Sequence, residues 1–418
     1  MSSRPARTLV HSPLSLPSVA AVVLLTGCGV DRGNADVALW TERDSAGVVI
    51  VDNLDDPVLS EAGFTLSEAP ALSIGSLDGD VNYEFFRVSG GHLLEDGRVV
   101  VVNGVPPEVR IYQADGTFLH SFGTEGEGPG EFRSPRLLGV LPGDSLLVHD
   151  MELRRVSVVH PDDGFVSSVR VGDDSGGFPV PQGMLANGTM VFGGGLFFSS
   201  SDGGFPTGVI RNPSKYSAVD RSGAEVADFG EWPAFEMYGR VSAEGGFTAR
   251  SLPFAKGSSA AVGQDRFYIG TSDLYEIHAF DEAANKVRVI RLDRPNPPVT
   301  SADVDQYTED EIEDADTPNE RRQFEALMNE MPIPDHMPAY GSMRVDALGH
   351  LWVQEYAGPR LRDPGWTIFD RDGHVLGTLR TPDRMQILEI GGDYILGRKS
   401  DALDVESIQL WELERPTG

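Results

Sequence analysis

The stretch from Arg98 to Phe132, RVVVVNGVPPEVRIYQADGTFLHSFGTEGEGPGEF, sets the pattern for the chain. Runs of β-branched and aromatic residues are separated by turn residues, chiefly Gly, Pro and Asp. This alternation predicts strand, turn, strand, turn, strand and an exit loop. The stretch therefore predicts a small antiparallel sheet.

The same pattern of a short strand after a turn occurs six times along the chain. The turn residues that precede these strands are 46, 45, 77, 84 and 43 residues apart. Three of these spacings match the length of a four-stranded propeller blade, so we predict an all-β, six-bladed β-propeller. The six strands are Arg98–Asn103, Ser145–Asp150, Thr189–Gly193, Arg266–Gly270, His350–Gln354 and Asp393–Gly397.

A closed ring needs a partner for its last blade, because an open blade exposes unpaired backbone groups along an edge. The segment Ala71–Gly75 ends like the fourth strands of two blades but lies before the first blade. We therefore predict that it completes the blade formed by Met385–Glu414. The earlier strand Gly47–Asp52 has no partner in this scheme.

The 84-residue interval between blades 4 and 5 contains an insertion at about residues 300–338. In this insertion, Thr317-Pro-Asn-Glu320 forms a capping box with proline at the first helical position. Apolar residues then recur at helical spacing, at Phe324, Leu327, Met328 and Met331. The pattern predicts a helix that docks one apolar face on the flank of the propeller.

Charge and composition limit the classes of partner. The chain has 34 basic and 64 acidic residues among 418, a formal net charge of −30. Such a charge repels polyphosphate chains, so we expect no nucleic-acid partner. The 48 glycines and 28 prolines favour turn-rich β structure over helices. We expect a monomer.

The N-terminus resembles the signal peptide of bacterial lipoproteins. Arg4 and Arg7 precede a mainly apolar segment, Leu14–Leu25, that is too short to span a bilayer. The segment ends in Leu25-Thr26-Gly27-Cys28, which resembles a lipobox. The resemblance implies a signal peptide at 1–27, acyl chains such as palmitate on Cys28, a tether at 28–38 and the propeller at 39–418. The alternative is a free cysteine beside an ordinary secretory signal.

One blade junction resembles the NHL-type repeat. In Phe122–Pro135 a blade ends in Phe-Gly, crosses a glycine-rich loop, and continues through Gly-Glu-Phe to a proline. The other blades keep the strands and turns without this loop. The chain is also similar to the broad group of bacterial six-bladed propeller lipoproteins. The resemblance implies a lipid-anchored protein of the cell envelope that faces the periplasm or the cell exterior.

Cations at the predicted strand starts suggest an anion site. If each innermost strand begins about ten residues before its turn, four blades carry cations there and a fifth carries tyrosine. Strand starts gather at one mouth of a central channel, so a carboxylate, phosphate or sulfate group could bind there. The alternative is that each cation pairs with an acidic neighbour. The candidate ligand-binding residues are Arg87, Arg133, Arg136, Lys256, Arg384 and Tyr340.

No motif in the sequence indicates a reaction. The chain lacks a His-Glu-x-x-His pair, paired cysteine ligands, a serine nucleophile elbow and a phosphate loop. We therefore expect no catalytic residues, metal or cofactor. Glu125, Glu127 and Glu131 crowd the glycine-rich junction and could hold calcium, or they could simply be solvated.

Three functions remain open at this stage. The first is a membrane-anchored extracytoplasmic binding or scaffold propeller for a protein, peptide or glycan. The alternative is a hydrolase or lyase that acts on an anionic small molecule at the channel mouth. A third is a partner in envelope assembly, by analogy alone.

Overall fold

The computed structural model describes residues 39–56, 63–76, 79–172, 180–193, 195, 205–241, 245–358 and 365–416. The predicted signal peptide, Cys28 and the tether lie outside these described residues. The described part consists mainly of small antiparallel sheets with two helices, so the predicted all-β propeller class is confirmed. No described helix is long and apolar enough to cross a membrane.

The described chain starts with four short strands, which are followed by the first two four-stranded sheets. The starting strands are β1 (Trp40–Ser45), β2 (Val48–Leu54), β3 (Thr65–Leu66) and β4 (Leu72–Ile74). Blade 1 contains β5 (Gly90–Leu93), β6 (Val99–Gly104), β7 (Pro107–Tyr112) and β8 (Phe118–Phe122). Blade 2 contains β9 (Pro135–Val140), β10 (Leu146–Asp150), β11 (Arg155–His160) and β12 (Gly164–Arg170).

Blade 3 is interrupted by a strand that belongs to a separate three-stranded sheet. Blade 3 consists of β13 (Pro181–Met184), β14 (Met190–Phe192) and, after β15 (Gly208–Ile210), of β16 (Pro213–Val219) and β17 (Glu225–Pro233). The separate sheet pairs β15 with β18 (Met237–Val241), and β18 with β19 (Phe247–Ser251).

Blades 4 to 6 complete the series. Blade 4 contains β20 (Ser259–Gly263), β21 (Arg266–Gly270), β22 (Glu276–Phe280) and β23 (Lys286–Asp293). The helices α1 (Ser301–Glu313) and α2 (Pro318–Met328) follow it. Blade 5 contains β24 (Met343–Val345), β25 (Leu351–Gln354), β26 (Gly365–Phe369) and β27 (Val375–Arg380). Blade 6 is built on β28 (Met385–Ile390), β29 (Tyr394–Ser400) and β30 (Glu406–Glu414).

Successive blades are joined by apolar clusters that continue around the ring. At the seam between the last and first blades, Leu396 and Ile408 pack with Val99 and Tyr112. The other seams are of the same kind, and the first strands of neighbouring blades approach one another closely. Gly263 shows why: a Cβ there would collide with Val345 of the next blade. The first strands therefore surround a central channel.

The N-terminal strand β4 completes blade 6, as predicted for Ala71–Gly75. Ile74 pairs with Ile408 and Leu72 with Leu410 in antiparallel register. The amide of Ala71 also donates to the carbonyl oxygen of Leu410 over 2.8 Å. The two ends of the propeller sequence are therefore joined by backbone hydrogen bonds.

The strand without a predicted partner pairs with blade 4. β1 and β2 form a hairpin, and β2 runs parallel to β23, with Val51 opposite Ile290. Asn53 secures this contact from a buried position, since its amide nitrogen donates to the carbonyls of Arg291 and Gly373, 2.9 Å from each. Its carbonyl oxygen accepts from the amide of Val375 at 2.8 Å. Blade 4 therefore carries two strands from the N-terminal region.

The two insertions pack together as one unit, here called the rim layer (β15, β18, β19, α1 and α2). The predicted capping box of α2 is present, and Leu327 packs with Leu252 and Ala255 in the segment that enters blade 4. Tyr307 of α1 contacts Phe254 at a ring distance of 5.6 Å. Helix α1 was not predicted from the sequence. The helices therefore dock beside the entrance to blade 4.

Candidate functional site

A pocket of about 880 Å³ lies at the end of blade 4 where β2 and β23 end and β22 begins; we call it the rim pocket. Its walls come from the β1–β2 hairpin, the turn Asp273–Glu276, and the end of β23 with the residues after it. Lys256, which follows β19, and His336, which follows α2, complete the lining. Pockets of a few hundred cubic ångströms or more are typical of ligand sites.

Several charged residues of the rim pocket are engaged in ion pairs that hold its walls. Arg291 donates to Glu276 over 2.7 Å. Arg211, from the chain segment after β15, binds Asp273 over 2.6 Å. Burial raises the pKa of Asp273, but hydrogen bonds from Arg211 outweigh it and the pKa is lowered. These charges therefore serve the structure of the pocket.

Other groups in the rim pocket remain available to a ligand. Within the described residues, neither the ammonium of Lys256 nor the imidazole of His336 makes a side-chain hydrogen bond or ion pair, nor does the carboxylate of Asp293. The side chains of Leu274 and Leu54, which both line the pocket, are 69% and 41% exposed. The pocket therefore offers apolar surface together with charges of both signs.

His374 fastens the hairpin wall of the rim pocket to blade 5. The indole of Trp40 stacks on the imidazole of His374 with 3.7 Å between ring centroids. The two ring nitrogens lie 3.1 Å from Asp370 and 3.0 Å from Glu42. Burial alone lowers the pKa of His374, but the hydrogen bonds to these carboxylates outweigh it and raise the pKa above 6.5. The imidazole therefore bridges the hairpin and the blade, and both carboxylates favour its charged form.

The six predicted ligand-binding residues have different surroundings in the structure. Lys256 lines the rim pocket, whereas Tyr340 is only 1% exposed and belongs to the core between blades 4 and 5. The Tyr340 hydroxyl lies 3.3 Å from the amide of Ser272 and 3.4 Å from the carbonyl of Glu276. Burial raises its pKa. Tyr340 therefore supports the turn next to the pocket from inside the core.

Two of the remaining cations have acidic partners, as the alternative interpretation expected. Arg133 binds Glu127 over 2.6 Å, and Arg384 lies 3.6 Å from Asp404. The guanidinium of Arg87 lies over the ring of Phe86, 5.5 Å from its centroid. All three cations are exposed.

The sixth residue, Arg136, belongs to β9 in the innermost layer, and its charge acts on Arg344 of β24. Arg344 was not among the residues predicted from the sequence. Its strand, Met343–Val345, has only three residues, and none of them is a turn residue.

The glycine-rich junction folds as a compact loop. Glu131 accepts a hydrogen bond from the amide of Gly128 over 2.7 Å. Arg155 donates to the carbonyl oxygens of Glu127, Gly128 and Glu131. Glu127 pairs with Arg133, so two of the three glutamates, Glu127 and Glu131, have partners within the protein. Among the residues described, no three acidic, histidine or cysteine side chains lie close enough together to hold a metal ion.

No protein-family model matches this sequence, and no curated protein is significantly similar to it. Three solved structures are similar to this chain at 10–12% identity. A candidate exported protein of Bacteroides fragilis matches at 12% identity over 88% of this chain and 100% of its own, with a TM-score of 0.46. A member of the DUF4221 family from Bacteroides vulgatus matches at 10% over 85% and 100%, with a TM-score of 0.47. Virginiamycin B lyase from Staphylococcus aureus matches at 12% over 84% and 99%, with a TM-score of 0.38. None of these similarities assigns an activity to this chain.

Proposed function

We propose that this chain is a lipid-anchored, extracytoplasmic binding propeller that holds a peptide segment in the rim pocket. One observation carries the proposal. The parts of the chain that a ring does not need, namely the β1–β2 hairpin and the segments that follow both insertions, meet at this one pocket. Function on a rigid scaffold is usually placed in such additions.

The chemistry of the rim pocket suits a peptide. Leu54 and Leu274 supply exposed apolar surface for a side chain. Lys256 and His336 can donate to a carboxylate or a carbonyl oxygen, and Asp293 can accept from an amine or an amide. The hairpin wall is held by Asn53 and His374 before any ligand arrives. A preformed wall lowers the entropic cost of binding.

A peptide array with a matched pair of variants tests the proposal. The purified chain from residue 39 onward is applied to an array of random 12-residue peptides, and retention is quantified. We expect Leu274→Asp to weaken the binding of the retained peptides by about tenfold or more, because the substitution places a charge on the apolar surface. Leu403→Asp is the control, since Leu403 is 76% exposed and is not among the residues that line the pocket. Equal loss in both variants, or no retention by the wild type, would contradict the proposal.

The lipid anchor is tested separately. Two or more acyl chains give lasting membrane attachment, whereas one does not. We expect intact-mass spectrometry of the full chain expressed in a bacterium to show a mature protein that begins at acylated Cys28. Cys28→Ala should leave the protein unacylated and outside the membrane fraction. A mature wild-type chain with a free thiol would refute the anchor.

The two other functions remain hypotheses with their own tests. A hydrolase or lyase at the channel mouth would turn over an anionic substrate, and elemental analysis of the purified protein would reveal a metal if one takes part. A role in envelope assembly would show as a specific partner after crosslinking of intact membranes. No arrangement among the described side chains favours either over peptide binding.

A further inference from the structure

Two arginines lie on opposite sides of the central channel. Arg136 is the second residue of β9 in blade 2, and Arg344 is the second residue of β24 in blade 5. In a ring of six, blades 2 and 5 face each other across the axis. Both residues stand near the start of an innermost strand, and these starts share one end of the channel. The topology therefore brings two guanidinium groups toward the same space.

Neither arginine is neutralised by the protein. Other partly or fully buried arginines bind carboxylates closely, for example Arg110 to Glu108 over 2.8 Å and Arg398 to Glu406 over 2.9 Å. The side chains of Arg136 and Arg344 make no hydrogen bond or ion pair within the described ranges, and Arg136 is exposed. Arg344 is only partly exposed, so its charge is short of water as well as of a partner.

The carboxylate on β28, the innermost strand of the neighbouring blade 6, already has partners within the protein. Glu389 of β28 lies 2.9 Å from His92 and accepts from the amide of Leu93 at 2.9 Å. It also accepts from the hydroxyl of Tyr394 over 3.0 Å. Burial lowers the pKa of Arg344, and the charge of Arg136 lowers it further. Because Arg136 is exposed, the cost of an unpaired charge falls mainly on Arg344, and a bound anion would offset that cost.

We propose that Arg136 and Arg344 form a binding site for a small oxyanion, such as a phosphate, sulfate or dicarboxylate group, inside the central channel. Guanidinium groups suit this role because their planar forks match the oxygens of such anions. Two arginines favour a dianion over a monoanion. Neither arginine is among the residues that line the rim pocket.

Isothermal titration of the chain from residue 39 onward tests the site, with sodium phosphate, sulfate and succinate at constant ionic strength set by chloride. The wild type is expected to bind at least one of these anions at millimolar concentration or tighter. Arg344→Gln and Arg136→Gln should each weaken that binding by about tenfold or more. Arg322→Gln is the control, because Arg322 is an exposed arginine on α2. The three anions also distinguish tetrahedral oxyanions from carboxylates.

A second readout separates a ligand site from a structural role. Without anion, Arg344→Gln should unfold at the same temperature as the wild type or higher, since it removes an uncompensated charge. A lower unfolding temperature would mean that the guanidinium stabilises the fold, and it would overturn the proposal. Absence of wild-type binding to all three anions, or unchanged binding in both variants, would overturn it as well.

Discussion

Blades 1 and 4 have the same four-stranded core but differ in what is attached to it. Blade 1 is continuous in sequence from Gly90 to Phe122, and each strand pairs with its neighbour in the chain. Blade 4 has the same antiparallel core, with β2 added in parallel from about 240 residues earlier, and the rim layer docked beside its entrance. The ring therefore arises from a local pattern, whereas the candidate peptide site arises from distant segments.

The two regions are also held by different forces. The seams of the ring are apolar, and one of them contains a buried carboxylate network around Asp346. The hairpin on blade 4 depends on the amide of Asn53 and on ion pairs around Glu42. We therefore expect damage at a ring seam to unfold the whole protein, and damage at the hairpin to act locally.

The largest effect is expected from Asp346→Ala, at the seam between blades 5 and 6. Asp346 accepts from the indole of Trp352 at 3.0 Å and lies 2.8 Å from Arg415, with no exposure of its side chain. Its removal leaves a partly buried arginine and an indole without their partner. We expect the free energy of unfolding to fall by about 3–5 kcal/mol in urea denaturation.

Asp265→Ala is the matched control for that experiment, because Asp265 pairs with Arg371 at the surface. It should cost at most about 1 kcal/mol. Comparable losses in the two variants would mean that the seam does not depend on the Asp346 network.

The next largest effect is expected from Asn53→Ala, which removes three hydrogen bonds to backbone groups. We expect the hairpin to lose about 2–3 kcal/mol of stability against local opening, while the stability of the ring is retained. Hydrogen exchange should show faster exchange in Trp40–Leu54, with protection retained in blade 1. Asn285→Ala, in an exposed turn of blade 4, is the control. Uniform loss of protection would show that hairpin and ring unfold together.

A smaller effect is expected from pH. The pKa of His374 is raised in the folded state. The stabilisation of the hairpin by His374 is therefore complete below the unfolded pKa of 6.5, and it is lost as pH rises through the folded pKa. After correction for the intrinsic rise of amide exchange with pH, the protection of the hairpin should therefore fall as pH rises above 6.5. His374→Gln should abolish this dependence. If the variant shows the same pH dependence, another titrating group causes it.

The smallest effect is expected from Arg240→Ala in the rim layer. Arg240 lies 3.4 Å from Glu330, and each side chain is 45% exposed. Exposed pairs of this kind contribute about 0–1 kcal/mol. We expect a change in unfolding temperature that is within error and insensitive to added salt. A clear loss would mean that ion pairs hold the rim layer, rather than the apolar contact of Leu327 with Leu252.

Much of the ring could be predicted from sequence, but only one member of the rim pocket. The strands, the pairing of Ala71–Gly75 with blade 6 and the capping box of α2 follow from local periodicity and turn residues. Of the six candidate residues, Lys256 alone lines the rim pocket, and Tyr340 proved to be a core residue. Spacing along the chain does not reveal which cations will meet carboxylates.

The sequence by itself determined the blades of this protein, because side-chain alternation and turn chemistry act between residues close together in the chain. The tertiary structure alone decided that β2 lies parallel to β23, that Leu327 of one insertion packs on Leu252 of the other, and that the charge of Arg136 acts on Arg344. These contacts join segments far apart in sequence. Their energies depend on packing and desolvation, which exist only once the ring has closed.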